Sequence, residues 1–176
     1  MIYNNLKIFS QNVWKNSLIV NTILEIQSYF DIIFTQEPLW SILHMIPSSI
    51  SGKGEVLVGT PHHPNWLTFT RTPTNQSDSP RFLAYINIRL SSFCFSLHKD
   101  LINHKNILFI FFFNNNVCSY IMNIYSNTSH SALKYLKDTE ASINNHLIMT
   151  GNFNIRDSLW IHLSLIIPPL AMILLS

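Results

Sequence analysis

The chain has 176 residues, enough for one domain that buries a substantial core. Hydrophobic residues make up 47% and aromatics 12%, which excludes a disordered segment, whereas charged residues reach only 11% against the usual quarter and leave little polar surface for solubility. Lys and Arg exceed Asp and Glu by 11 − 9 = 2 and are scattered, so the charge shows no clustered basic face of the kind that binds nucleic acid.

The N-terminus, Met1-Ile2-Tyr3-Asn4-Asn5, has neither the basic start nor the apolar core of a secretory signal. Leu6-Lys7-Ile8-Phe9-Ser10-Gln11-Asn12 reads as a strand with an amide at its end. Asn16 or Ser17 then caps a helix in which Ile19, Ile23, Ile26 and Phe30 recur at spacings of four, three and four. A second strand, Asp31-Ile32-Ile33-Phe34-Thr35-Gln36, is closed by the carboxylate Glu37 and then Pro38. Strand, helix and strand form a βαβ-like unit, which brings Asn12 and Glu37 to the same end.

Residues 39–46 predict a short helix and residues 47–54 a serine- and glycine-bearing loop. From Glu55 the pattern turns to β, with Val56-Leu57-Val58, Trp66-Leu67-Thr68-Phe69-Thr70 and residues 82–90 as strands, and residues 72–80 as a polar turn. Residues 107–113 are wholly apolar, too short for a membrane span and long enough for a buried strand. Asn114-Asn115-Asn116 predicts the turn of a hairpin into a strand over residues 118–125. Ser129 caps a second helix with Ala132, Leu136, Thr139 and Ile143 on one face and Lys134, Lys137, Asp138 and Glu140 toward water, ended by Asn144 and Asn145.

Leu147-Ile148-Met149-Thr150-Gly151-Asn152-Phe153-Asn154 then reads as a buried strand that runs into a glycine and presents two amides at its carboxyl edge. Open α/β sheets place their chemistry at that edge. Residues 159–176 carry no Asp, Glu, Lys or Arg and contain Pro168-Pro169. The double proline halves any span there, and only Arg156 flanks it closely, which argues against a membrane anchor.

Cys94 and Cys118 lack Cys-x-x-Cys spacing and sit among apolar residues, which predicts two buried thiols in a reducing compartment. His62 and His63 are adjacent and flanked by prolines, with no further ligands at zinc spacing, and so read as loop. Trp66 and Phe69 read as core. Arg81, Arg89, His98, Lys99 and Lys105 read as a solvated face, with contacts to DNA phosphates as the alternative.

Taken in order, a strand ending in Gln11-Asn12, one ending in Gln36-Glu37-Pro38 and one ending in Gly151-Asn152-Phe153-Asn154 resemble the endonuclease/exonuclease/phosphatase superfamily. More narrowly, over about residues 6–160, the chain resembles the apurinic-endonuclease-like domain of fungal non-LTR (LINE-type) retrotransposon polyproteins. The resemblance implies an α/β fold, a four-layer α/β/β/α sandwich occupying residues 1–160 and incomplete at its C-terminal end, followed by an apolar tail over 161–176 unrelated to the family.

It also implies a Mg²⁺-dependent phosphodiesterase or DNA endonuclease with DNA as its partner, intracellular, and nuclear if it acts on DNA; no protein partner is implied. In that reading Glu37 is the metal ligand, Asn12 assists at the metal, Asn154 hydrogen-bonds the reacting phosphate, and Tyr125 in Asn123-Ile124-Tyr125-Ser126 is the active-site tyrosine. Asn127 and Thr128 depart from the proline and asparagine that often follow. Asn152 stands where the family has the aspartate that orients or deprotonates the attacking water, and the closing Ser-Asp-His motif has no counterpart before Ser176. A carboxamide keeps the shape of a carboxylate without its basicity, so the expectation is a truncated copy of impaired or no activity. The alternatives are a non-enzymatic relic or binding module keeping only the fold, a phosphatase of the same fold, and a small tail-anchored membrane protein.

Overall fold

The computed structural model describes residues 6–26, 29–46, 55–60, 62–71, 78–114, 117–126, 129–139 and 147–152. In chain order these form β1 (Ile8–Asn12), α1 (Ser17–Ile26), β2 (Ile32–Gln36), β3 (Ser41–Ile46), β4 (Glu55–Gly59), β5 (Trp66–Phe69) and β6 (Phe82–Asn87). After a 3₁₀ turn at Ile88–Leu90 come β7 (Cys94–Leu97), β8 (Ile107–Asn114), β9 (Val117–Tyr125), α2 (Ser131–Asp138) and β10 (Leu147–Asn152).

Two four-stranded sheets result, ordered β1-β2-β6-β5 and β10-β9-β8-β7, with β3 and β4 as a separate two-stranded ribbon. The βαβ unit is present: β1 and β2 run parallel, with Ile8 opposite Ile32 and Asn12 opposite Gln36. β9 and β10 are also parallel, with Tyr125 opposite Asn152. The remaining pairs within both sheets are antiparallel.

The alternation of side chains along each strand sorts the apolar residues into layers. Ile8, Ile32, Phe34, Phe82, Ala84 and Ile86 of the first sheet meet Leu108, Ile110, Phe112 and Ile121 of the second in one buried cluster. Ile33, Leu83 and Tyr85 point the other way and are covered by Val20, Ile23 and Leu24 of α1. Ile107, Phe109, Met122 and Ile124 are covered in turn by Ala132, Leu133 and Leu136 of α2. Each fully buried aliphatic side chain contributes on the order of 1.5–3 kcal/mol, so the three apolar interfaces together dominate the stability of the fold. The order of layers is α/β/β/α, as expected.

Several local expectations are corrected. The buried face of α1 is Val20, Ile23 and Leu24, while Ile26 is exposed, so the helix is turned from the predicted stripe to meet Val13 and Trp66. Residues 41–46 are strand rather than helix, because pairing with β4, through an irregularity between Ile42 and His44, satisfies the backbone that a lone helix would satisfy internally. The predicted strand over 82–90 ends at Asn87, whose side chain accepts from Arg89 N–H and starts the 3₁₀ turn. β7 was not foreseen; its Phe95 and Leu97 pack against the inter-sheet cluster while Cys94 and Ser96 face water.

α2 begins at Ser131, and its cap position is His130, in left-handed backbone at φ 51° with no side-chain cap, rather than Ser129. Thr139 lies at its exposed C-cap rather than on its buried face. Both cysteines are free and exposed rather than buried, because Cys94 and Cys118 lie opposite Phe113 on neighbouring strands at the solvent side of the second sheet. The loop at 47–54, the start of the 72–80 turn, Asn115, Asn116, Glu140, Ile143 to Asn145, and everything from Phe153 onward, the apolar tail included, lie outside the described residues. Among the described residues, no helix is long and apolar enough to cross a membrane.

Candidate functional site

Parallel pairing within each sheet aims the carboxyl ends of β1, β2, β9 and β10 at one edge, where β1 and β10 lie against each other across the sandwich. Parity then decides which side chains meet there. Ile8, Ile32 and Ile121 belong to the inter-sheet cluster, so Asn12, Gln36, Asn123 and Tyr125, an even number of residues along their strands, lie on the same interior side. The apolar core thus gives way to amides and a phenol as the strands end.

Glu37 is the first residue beyond β2 and adopts left-handed backbone at φ 48°. For a side chain without a short amide or carboxylate to bond locally, that conformation costs roughly 1–2 kcal/mol. Three bonds hold it: its N–H donates to Arg81 O at 3.0 Å, its carbonyl accepts from Lys15 N–H at 2.8 Å, and its Oε1 accepts from the Tyr125 hydroxyl at 2.8 Å. The last joins the two sheets across 88 residues of chain. The hydrogen bond to Glu37 pushes the Tyr125 phenol above its usual pKa, with burial and the carboxylate's charge acting in the same direction and Arg81 opposing them. The Arg81 guanidinium stands 5.9 Å from the Tyr125 ring centroid.

Asn12 Oδ1 accepts from Trp14 N–H at 2.9 Å, which orients the carboxamide at the end of β1. Beneath it lies a buried polar layer the sequence did not single out: Gln36, Asn123 and Thr150 are 1%, 0% and 3% exposed. Thr150 donates to Asn123 Oδ1 at 3.1 Å. The Gln36 carboxamide and Asn123 Nδ2 have no hydrogen-bond partner among the described residues. Leaving a buried polar group unmatched costs about 1–3 kcal/mol, so these groups are not there for stability. Their signal in the sequence is the interruption of apolar runs by Gln36, Asn123 and Thr150 just before each strand ends.

Gly151 is required by close approach: a Cβ there would stand 2.1 Å from Ile124 O, a backbone atom that cannot step aside. It lets β10 reach β9 and sets Asn152 opposite Tyr125. Of the expected site residues, the structure brings Asn12, Glu37 and Tyr125 to one edge and ends β10 at Asn152 there; Asn154 lies outside the described residues. Of the other basic candidates, Lys105 directly precedes Asn106, whose carbonyl accepts from Tyr125 N–H at 3.0 Å, whereas two lie elsewhere. Arg89 pairs with Asp31 at the opposite end of the sheet, and His98 packs on Phe111 and Tyr120. His63 meets Glu25 at 3.3 Å, and Trp66 is core, its indole N–H donating to Leu24 O.

Among the described residues, no cluster of three His, Cys, Asp or Glu is placed to hold a metal. Among the described residues, the donors at the edge that suit a cation are one carboxylate, Glu37, and the Asn12 carboxamide. An oxygen-only pair of this kind is compatible with a hard divalent cation that keeps several of its waters.

No family model and no curated protein matches the chain. It is similar to the solved endonuclease domain of TRAS1, a telomere-specific non-LTR retrotransposon, at TM-score 0.60 and 15% identity, covering 89% of this chain and 62% of that one. Two structures of D. rerio TDP2 match at TM-score 0.48: one humanized by 14 mutations, at 18% identity over 89% of this chain and 65% of that one, and one complexed with single strand DNA product, at 16% identity over 90% and 64%. The chain spans less than two thirds of the length of each of these structures. The fold is that of the endonuclease/exonuclease/phosphatase type.

Proposed function

We propose that the chain is a DNA phosphodiesterase domain derived from a retrotransposon endonuclease, carried by residues 1–160, that keeps its cation and phosphate site but has lost most of its hydrolytic power at Asn152. The observation that carries this reading is the Glu37–Tyr125 bond: a carboxylate in strained backbone, tied across two sheets at the edge where strand ends converge. The likeness in fold to a retrotransposon endonuclease domain supports it.

Mg²⁺, held by Glu37 with Asn12 beside it, would supply charge for the phosphoryl oxygens and acidify a bound water. The chain's own residues do the rest. Tyr125 stays protonated well above neutral pH, so its hydroxyl remains a donor that fixes the Glu37 carboxylate in one orientation. Gln36 and Asn123 bring neutral donors to the interior side of the edge, where a low dielectric strengthens them. Asn154 hydrogen-bonds the phosphate. Asn152 takes the place of a general base and accepts no proton near neutral pH, which removes a step worth about 10²–10⁴ in rate.

The test is nicking of supercoiled plasmid in Mg²⁺ by the chain as it stands, by Asn152→Asp, and by Glu37→Ala. The expected result is nicking near background in the first, a gain of about 10²–10⁴ in the second, and none in the third. Robust Mg²⁺-dependent nicking by the unaltered chain would refute the impairment. No nicking by a folded Asn152→Asp protein would refute Asn152 as the seat of the loss.

A further inference from the structure

Between β1 and α1 the chain turns through Val13, Trp14, Lys15 and Asn16, and every amide in the turn is bonded. Val13 N–H donates to Gln36 O at 2.9 Å, Trp14 N–H to Asn12 Oδ1 at 2.9 Å, Lys15 N–H to Glu37 O at 2.8 Å and Asn16 N–H to Val13 O at 2.8 Å. Asn16 Oδ1 in turn caps α1, accepting from Leu18 N–H at 2.9 Å and Ile19 N–H at 3.2 Å. The turn is therefore rigid, and two of its bonds run directly to Asn12 and Glu37.

Within it, Trp14 and Lys15 are consecutive left-handed residues, at φ 46° and 57°. Glycine or asparagine would take that conformation at lower cost. Burial does not offset the strain, because Trp14 is 66% exposed. Trp66 is 2% exposed, and its indole nitrogen has a carbonyl partner. One indole is core; the other is displayed.

We propose that Trp14 is a stacking platform for a nucleobase of the strand whose phosphate is handled at Glu37, with Lys15 beside it facing the backbone charge. This rests on the phosphodiesterase reading above and names how that site holds its substrate. A flat indole with two rotatable bonds on a fixed turn loses little entropy on stacking. Trp14 lies two residues from Asn12, so a base next to the reacting phosphate is within its reach. The neighbours Lys15, Asn16 and Ser17 are exposed and polar, with Leu18 exposed beyond them, and the cation next to the indole suits a charged, wet ligand. Stacking of this kind is indifferent to base identity, so the turn confers grip on a strand rather than sequence preference.

The measurement is fluorescence anisotropy of a labelled short single-stranded DNA, and of the same sugar–phosphate strand without bases, titrated in Mg²⁺ with the full chain. Trp14→Ala, Trp14→Leu and Trp14→Phe are compared with the unaltered protein. The unaltered chain is expected to prefer the base-bearing strand. Trp14→Ala and Trp14→Leu are expected to lose about five- to a hundredfold on that strand and nothing on the abasic one, while Trp14→Phe keeps most of the affinity. Equal affinity for both strands, or unchanged binding by Trp14→Ala, overturns the proposal and leaves the phosphodiesterase reading standing. Binding to neither strand by the unaltered chain overturns both. The side chain is exposed, so circular dichroism of all variants is expected to match.

Discussion

Asp31 and Glu37 stand at the two ends of β2, and their surroundings are opposite in kind. At the amino end, Asp31 is 9% exposed and fully engaged: its Oδ2 accepts from Lys7 N–H at 2.8 Å and its Oδ1 from Arg89 Nε at 2.9 Å, with Arg89 Nη2 at 2.8 Å. Arg89 also donates to Tyr29 O, Lys7 Nζ sits 3.3 Å over the Tyr29 ring, and Asn87 Nδ2 donates to Phe30 O. At the carboxyl end, among the described residues, Glu37 has one hydroxyl donor to its side chain, a strained backbone, and the carboxamides of Gln36 and Asn123 with unmatched donors. A carboxylate surrounded by its own cation and amides is architecture. On the proposed reading, one that the fold positions and leaves with a single side-chain donor among the described residues is kept for a ligand.

If that contrast is right, changes at the two ends separate activity from stability. The largest effect is expected at the carboxyl end, in the Asn152→Asp background: adding Glu37→Asn should remove its whole gain in plasmid nicking, about 10²–10⁴. Thermal unfolding should barely move, since the left-handed strain that asparagine relieves offsets the lost bond to Tyr125. A loss of folding instead would show that Glu37 is architectural too.

Gly151→Ala comes next. Its Cβ meets the Ile124 carbonyl at 2.1 Å, so β10 must be pushed off β9 at a cost of about 3 kcal/mol, read as a lowered urea midpoint. Asp31→Ala should follow at about 2 kcal/mol, tempered because the Arg89 side chain is 46% exposed, and the folded fraction should bind Mg²⁺ and DNA as before. Altered binding there would erase the distinction between the ends.

The smallest effect is in pH. The Tyr125 phenol is raised above 10.0, so the protonated form is favoured on folding. Its contribution is complete below the unfolded value and is lost as pH rises through the higher folded one. Tyr85 is raised as well, through burial, and shares the window. Comparing Tyr125→Phe with the unaltered chain in urea isolates one from the other. The variant should be less stable by about 1 kcal/mol near neutral pH, with the gap closing above pH ~10. A gap that persists would place the effect in packing against Phe82.

How much of this was legible depends on how local each feature is. The strands closed by Asn12, by Gln36-Glu37 and by Asn152 were readable because each is a short apolar run that meets polar residues at its end. The helix mistaken at residues 41–46 was not, since six residues carry too little period to reveal a partner strand 13 or so positions away. The stripe of α1 was misjudged by one residue, because Val13 and Trp66, distant in sequence, choose which face is covered. β7 and the two exposed cysteines escaped for the same reason: Cys94 and Cys118 look apolar in sequence, and only their position on the open face of the second sheet exposes them.

By itself, then, the sequence determined the βαβ start, the places where β1, β2 and β10 stop, and the identity of the polar residues at those stops, because hydrophobic period and chain-breaking residues act over a few neighbours. Tertiary structure alone decided that the Tyr125 hydroxyl meets Glu37 across 88 residues, that Gln36 and Asn123 are buried without partners among the described residues, and that Trp14 is held out on a strained, fully bonded turn. Those facts depend on two sheets packing face to face with their parallel ends aligned, and no stretch of either sheet contains that alignment.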